Sequence, residues 1–184
     1  MDSITHAMQR KAFEVAIDAV IKYTNHDRSK ALLQLVDLTE KILGDVWKPE
    51  AYIQLRNIFS NPDSKWMKFA NNLLDNTDPK LIKMSMLNLG YEAGFRGFHI
   101  AEENSKKYNC AIPWIILFDP TSACNLHCTG CWAAEYDRQL NLSFEDMDSI
   151  VTQAKELGIH AFLLTGGEPL VRKKDIIRLC EKHN

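Results

Sequence analysis

The stretch "WIILFDPTSACNLHCTGC", residues 114–131, joins an apolar run to three closely spaced cysteines. Its first part, "WIILF" (114–118), is continuous, rich in β-forming residues and bounded by prolines, which is typical of a strand buried on both faces. Cys124, Cys128 and Cys131 follow it. The stretch therefore predicts a strand that ends in a loop carrying three thiols.

The residues after the cysteines predict a second strand beside the first. Ser143 and Asp146 form a helix start, and Gly158 is placed to end that helix. "AFLLT" (161–165) is a second apolar strand, followed by a helix over 175–183. This order of strand, helix, strand and helix predicts a parallel pair of strands with a right-handed crossover.

Residues 1–110 predict an all-helical N-terminal domain, with residues 111–184 as a second domain. The expected helix starts are Asp27 or Ser29, Pro49, and Asp78 followed by Pro79. Gly90 and Gly94 lie four residues apart, a spacing typical of close helix packing or a kink. Without a titratable cluster, this part is interpreted as a cap or a docking module.

Composition and charge exclude several classes of function. The chain has 46% hydrophobic and 25% charged residues and a net charge of -2, so it lacks the positive field that nucleic acid requires. The sequence has no secretory signal and no apolar run of membrane-spanning length, so a cytoplasmic location is expected. Five cysteines, three of them clustered, favour metal or redox chemistry over a disulfide framework.

The turn "GGEP" (166–169) follows the second strand and should share an edge of the sheet with the cysteines. Gly166 and Gly167 would let a small zwitterion approach the main chain, Glu168 would receive an ammonium group, and Pro169 would stiffen the turn. Three thiolates leave one iron of a four-iron cluster open to an external ligand.

These two motifs, in this order, resemble the radical S-adenosylmethionine (radical SAM) enzyme family over residues 112–184. The resemblance implies that Cys124, Cys128 and Cys131 bind a [4Fe–4S] cluster, whose fourth iron is chelated by the amino and carboxylate groups of S-adenosylmethionine. It implies that residues 166–169 hold the methionine end. Reductive cleavage would then give a 5′-deoxyadenosyl radical that abstracts hydrogen from a small-molecule or peptide substrate, with a reductant such as flavodoxin or ferredoxin. Because cluster and turn lie on different loops, substitution of Gly167 is expected to weaken cosubstrate binding and to leave the cluster intact.

The expected fold class is α/β: a helical domain followed by the start of a partial (β/α) TIM-like radical SAM barrel. Two departures from the family pattern stand out. Gly130 replaces the aromatic residue that often precedes the third cysteine, with Trp132 as a substitute or a packing residue. Only two strand–helix units are present, and two strands cannot cover their own apolar faces, so the chain is interpreted as a fragment.

Three alternatives use the same cysteines. A zinc-stapled binding module would take His127 or Cys180 as fourth ligand; Cys128 and Cys131 have the spacing of a redox dithiol; and a cluster without cosubstrate would make an electron-transfer protein. Cys110 and Cys180 are otherwise expected to be packing residues, and 171–175 a solvated helix start.

Overall fold

The computed structural model describes residues 3–23, 27–44, 47–131 and 140–183. Contacts divide the chain into two compact units, Met1–Phe95 and Arg96–Asn184. The predicted domain boundary after residue 110 stays a prediction. Within the described ranges, no helix combines the length and the apolar character needed to cross a membrane.

The first unit is helical, and its helices begin where the sequence places their caps. Asp27 and Asp78 accept hydrogen bonds from backbone N–H groups of the first turn, and Pro49 and Pro79 occupy first-turn positions. The predicted helix starts are therefore confirmed at these residues. The helices are α1 (Ser3–Tyr23), α2 (Arg28–Leu43), α3 (Pro49–Ser60), α4 (Lys65–Asn76), α5 (Pro79–Ser85) and a π-helix (Met86–Gly97).

The π-helix was not predicted, and it changes the interpretation of the two glycines. A Cβ on Gly90 would meet nothing within 4 Å, so close packing does not explain this residue. Gly94 faces the carbonyl of Leu89 in the same helix. The π-helix contributes Tyr91, which is fully buried and packs against Phe13 with ring centroids 4.7 Å apart.

The second unit contains a two-stranded parallel sheet, which confirms the predicted pairing. Its elements are α6 (Phe98–Tyr108), β1 (Ile115–Thr121), α7 (Phe144–Leu157), β2 (Ala161–Gly166), a 3₁₀ turn (Pro169–Arg172) and α8 (Lys173–His183). α7 begins with the predicted capping box: Ser143 Oγ accepts from the Asp146 N–H, and Asp146 Oδ2 accepts from the Ser143 N–H, each at 3.0 Å. The hydroxyl and N–H of Ser143 also hold the pKa of Asp146 below its usual value. Gly158 ends the helix in the left-handed conformation with φ 96°.

β1 contains a bulge near its carboxyl end. Phe118 pairs with Leu164, but the next pair is Thr121 with Gly166, so β1 has one residue more than β2 between the two pairs. Pro120, which has no N–H to donate to a neighbouring strand, lies in this interval. The strand therefore runs three residues beyond the predicted end at residue 118.

The two faces of the sheet differ. One face packs against α7 and α8 in a core that contains Phe118, Met147, Val151 and Leu179. On the other face Ile115, Leu117 and Leu163 are 42%, 56% and 49% exposed, respectively. The prediction of a strand buried on both faces is therefore wrong for the described residues, since no described element covers this second face, here called the open face.

Candidate functional site

The three predicted ligands lie on one exposed loop after β1. Cys124, Cys128 and Cys131 are free and exposed. A turn brings the Cys131 N–H to the Cys128 carbonyl at 3.2 Å, and Gly130 adopts φ 76° within it. His127 is also exposed on this loop.

Side-chain and backbone hydrogen bonds fix the start of the cysteine loop. Thr121, only 1% exposed, donates from Oγ1 to Asn141 Oδ1 at 2.6 Å and accepts from the Ala123 N–H at 3.0 Å. Ser122 Oγ accepts from the Leu140 N–H at 2.8 Å, and the Leu140 carbonyl accepts from the Ser122 N–H at 2.8 Å. The chain entering the first cysteine is therefore held to the segment that precedes α7.

The glycine turn is also hydrogen-bonded to the segment that leads into Cys124. The Gly167 N–H donates to the Thr121 carbonyl at 3.0 Å, and the Glu168 N–H donates to the Ala123 carbonyl at 2.8 Å. A Cβ on Gly167 would lie 2.2 Å from the Ala123 oxygen. The absence of a side chain therefore serves contact between the two loops, whereas the sequence interpretation assigned this space to a ligand.

The other residues of the turn are engaged locally. Glu168 Oε1 accepts from the Leu170 N–H at 2.9 Å and so caps the 3₁₀ turn, in which Pro169 takes the first position. The predicted role of Glu168, to receive an ammonium group, competes with this hydrogen bond.

Arg172 connects three segments around the site and is not part of a simple solvated helix start. Its Nη1 donates to the carbonyls of Leu142 at 2.9 Å and Pro120 at 3.4 Å, and its Nε donates to Asp175 Oδ2 at 2.8 Å. One guanidinium therefore binds the end of β1, the segment before α7 and the start of α8. Sequence reasoning missed this role because the partners are main-chain carbonyls.

The three cysteines have the ligand chemistry of an iron–sulfur cluster, although their sulfur atoms do not lie close enough together to hold one metal ion. Among the described residues, no group of three or more His, Cys, Asp or Glu side chains lies close enough to hold a metal ion. The zinc alternatives through His127 or Cys180 are therefore not assembled either. Three free, exposed thiols on one loop at the carboxyl edge of a parallel sheet match the ligand chemistry of iron–sulfur clusters.

Two further sequence expectations concern residues near this loop. Cys110 and Cys180 are exposed, so the expectation that they are packing residues is wrong. Trp132, considered for adenine contact, lies outside the described residues.

Sequence reasoning also missed a polar pair on the open face. The Thr165 hydroxyl donates to Asp119 Oδ1 at 2.9 Å, next to the glycine turn. The available signal was a carboxylate at the end of an otherwise apolar strand.

Comparisons with known proteins find similarity in the second half of the chain. A family model described as "Radical SAM superfamily" matches residues 118–184, from the end of β1 through α8. The GTP 3′,8-cyclase of Desulforamulus reducens is 42% identical over 66 residues, which cover 34% of this chain and 20% of the cyclase. The GTP 3′,8-cyclase of Geobacter sulfurreducens is 46% identical over 57 residues, which cover 29% of this chain and 18% of the cyclase. An uncharacterized protein of Archaeoglobus fulgidus is 34% identical over 65 residues, which cover 34% of this chain and 16% of that protein.

The matches have a limited extent. The chain spans about a fifth of the length of the cyclases it matches. No solved structure matches it. The matched segment nevertheless contains both motifs, the three cysteines and the glycine turn, so residues 118–184 of this chain are similar to the radical SAM superfamily.

Proposed function

We propose that this chain belongs to an enzyme that uses a [4Fe–4S] cluster to cleave S-adenosylmethionine reductively and to abstract hydrogen from a substrate. The observation that carries the proposal is the hydrogen-bonded contact between the glycine turn and the chain entering Cys124. It brings the loop with three free thiols and the turn predicted to hold the methionine end to one edge of the sheet.

Separate groups of residues would bind the cluster and the cosubstrate. Cys124, Cys128 and Cys131 would hold three irons, and residues 166–169 would hold the methionine end of the cosubstrate. When bound, cluster and cosubstrate supply an electron and a sulfonium whose cleavage gives methionine and a 5′-deoxyadenosyl radical. The Thr121 carbonyl accepts from the Gly167 N–H and the Thr121 hydroxyl accepts from the Ala123 N–H, so Thr121 connects the glycine turn with the chain entering Cys124. Arg172 holds the end of β1 to the segment before α7.

The open face supports the barrel part of the proposal. Ile115, Leu117 and Leu163 form an exposed apolar surface on a two-stranded sheet, and such a sheet needs cover on both faces. Further strand–helix units of a TIM-like barrel would enclose this surface and keep water from the radical. We propose that β1–α7 and β2–α8 are the first two such units, in a cytoplasmic protein.

The proposal does not extend to cyclisation of GTP. The chain spans about a fifth of the length of the cyclases, so the likeness to them supports the radical-forming step and leaves the substrate, small molecule or peptide, open.

Anaerobic reconstitution of the full-length protein tests the proposal. We expect about four irons per chain, with sulfide, and a change in the electron paramagnetic resonance signal of the reduced cluster when S-adenosylmethionine is added. Chromatography should show 5′-deoxyadenosine after reduction by dithionite or by flavodoxin. Zinc in place of iron would support a binding module, and a cluster indifferent to the cosubstrate would support an electron-transfer protein.

Cysteine variants locate the ligands in the same experiment. Cys124→Ala, Cys128→Ala and Cys131→Ala should each remove most of the iron, because a site with three protein ligands has none to spare. Cys110→Ala and Cys180→Ala are matched controls, since both thiols are exposed and lie off the loop. Loss of iron in Cys180→Ala alone would contradict the three-ligand site.

A further inference from the structure

The chain returns to the end of β1 after it has passed through the cysteines. Residues 120–122, here called the entering limb, pair with residues 140–142, here called the returning limb. The pairing consists of backbone hydrogen bonds from the Leu142 N–H to the Pro120 carbonyl at 3.1 Å and from the Ser122 N–H to the Leu140 carbonyl at 2.8 Å, and of an antiparallel bridge between Thr121 and Asn141. All three cysteines therefore lie on the chain between the two limbs of a closed base.

This base is short and needs support from outside the two limbs. Two paired segments of a few residues each are at best marginally stable in water. Asn141, in the middle of the returning limb, is exposed. Closing the long chain between the limbs also costs conformational entropy. We therefore expect a contact from another segment to hold the base closed.

Arg172 supplies such a contact, because it donates to both limbs. Its Nη1 donates to the Leu142 carbonyl at 2.9 Å on the returning limb and to the Pro120 carbonyl at 3.4 Å on the entering limb. Its Nε donates to Asp175 Oδ2 at 2.8 Å, which orients the guanidinium from α8. The Arg172 side chain is 20% exposed, so water competes little for these bonds. A planar guanidinium, with several donors in a fixed arrangement, suits this position better than an ammonium group.

The place of Arg172 in the chain connects the base to the glycine turn. Arg172 is the last residue of the 3₁₀ turn that follows the two glycines. Just before that turn, the N–H groups of Gly167 and Glu168 donate to the carbonyls of Thr121 and Ala123 at 3.0 and 2.8 Å. One short segment therefore contacts the chain entering the cysteines at its start and both limbs of the base at its end.

We propose that Arg172 is a positioning residue for the iron–sulfur site, because it holds the base of the cysteine loop closed. This inference rests on the proposed function, in which Cys124, Cys128 and Cys131 bind the cluster. A loop with two fixed ends has less conformational freedom to lose when its three thiols bind one cluster. Arg172 acts through the main chain of the two limbs and does not bind the cluster itself.

Hydrogen exchange of the full-length protein without cluster tests this role. Arg172→Lys keeps a positive charge for Asp175 and removes the planar donors, so the Ser122 and Leu142 N–H groups should exchange about 10-fold faster or more. The buried Val151 N–H in α7 should keep its rate within about twofold. Asp175→Asn is the matched control, because it leaves both carbonyl bonds in place, and it should change the two limb rates less than about threefold. Equal acceleration in the limbs and in α7 would mean a loss of general stability only, and unchanged limb rates would mean no contribution to the base; either result overturns the inference.

Iron release connects the base to the cluster. In the reconstituted full-length protein, the rate of iron loss to an excess of a ferrous chelator should rise about 3- to 10-fold in Arg172→Lys and less than about twofold in Asp175→Asn. Faster exchange in the limbs with unchanged iron loss overturns the positioning role. A parent protein that takes up no iron overturns the proposed function and the positioning role with it, whereas normal iron uptake with unchanged limb exchange in Arg172→Lys overturns this inference alone.

The parent protein covers the case in which Arg172→Lys does not fold. If Arg172 holds the base closed before the cluster binds, the Ser122 and Leu142 N–H groups of the parent without cluster should exchange at least about 100-fold more slowly than in an unfolded chain. Protection below about tenfold would show that the base is open without the cluster, which overturns the inference.

Discussion

Replacing Gly167 with Ala should loosen the cysteine loop together with the glycine turn. The added Cβ would lie 2.2 Å from the Ala123 carbonyl oxygen and 2.6 Å from its carbon. Ordinary contact begins at 3.4 Å, so the two loops must separate by about 1.2 Å. Both neighbours are main-chain atoms and cannot move by changing a rotamer. The original expectation that the cluster survives this substitution is therefore replaced by the opposite one.

The expected cost follows from two effects. Overpacking against fixed neighbours destabilises by about 1–3 kcal/mol. Separating the loops also breaks the hydrogen bond from the Glu168 N–H to the Ala123 carbonyl, whose net contribution is about 0.5–1.5 kcal/mol. Together they predict a loss of about 2–4 kcal/mol, which corresponds to a melting temperature lower by about 5–15 °C.

Circular dichroism melts of the full-length protein and iron analysis after anaerobic reconstitution measure both consequences. Gly90→Ala is the matched control, because its Cβ meets nothing within 4 Å. We expect Gly167→Ala to melt earlier and to bind less iron than this control. A Gly167→Ala protein with the melting temperature and the iron content of the control would refute the packing argument.

Three further predictions concern other parts of the chain. The 184-residue chain should self-associate through its open face, and Leu117→Lys should shift its light-scattering mass toward the monomer; an unchanged mass would exclude this face. Gly158→Ala should lower the melting temperature by several degrees, because φ is 96° and the backbone of α6 lies 2.6 Å from the new Cβ. Lys11 and Lys83 lower the pKa of Glu14 from 4.5 to about 2 through hydrogen bonds. The folded pKa is the lower one, so this stabilisation is complete above about pH 5 and is lost as pH falls toward 2; melts of Glu14→Gln should lack that part of the acid dependence.

Local signals in the sequence predicted the ends of the helices well. Asp27, Asp78 and the Ser143–Asp146 box satisfy N–H groups within their own first turns, so neighbouring residues alone determine them. The parallel pair followed from two apolar runs of strand length separated by a helix. These features need no knowledge of the rest of the molecule.

The details of the site depend on contacts between segments far apart in the chain. The reason for Gly167 lies in the carbonyl of Ala123, more than forty residues earlier. Arg172 also gains its role from carbonyl groups, which no side-chain pattern reveals. The strand prediction missed the open face because a run of apolar residues does not tell which strands are present to cover it.

The bulge in β1 determines on which face of the sheet the residues that follow it lie. In a regular strand Thr121 would share a face with the exposed Ile115 and Leu117, yet it is 1% exposed and bonded to Asn141. The extra residue before it reverses the alternation and sends the chain toward the cysteines from the opposite side of the sheet. Deleting one residue from the bulge would keep all three cysteines in the sequence. The chain entering the cysteine loop would then leave the sheet on the opposite face, and the thiols with it. The length of this strand is therefore as much a part of the site as its cysteines.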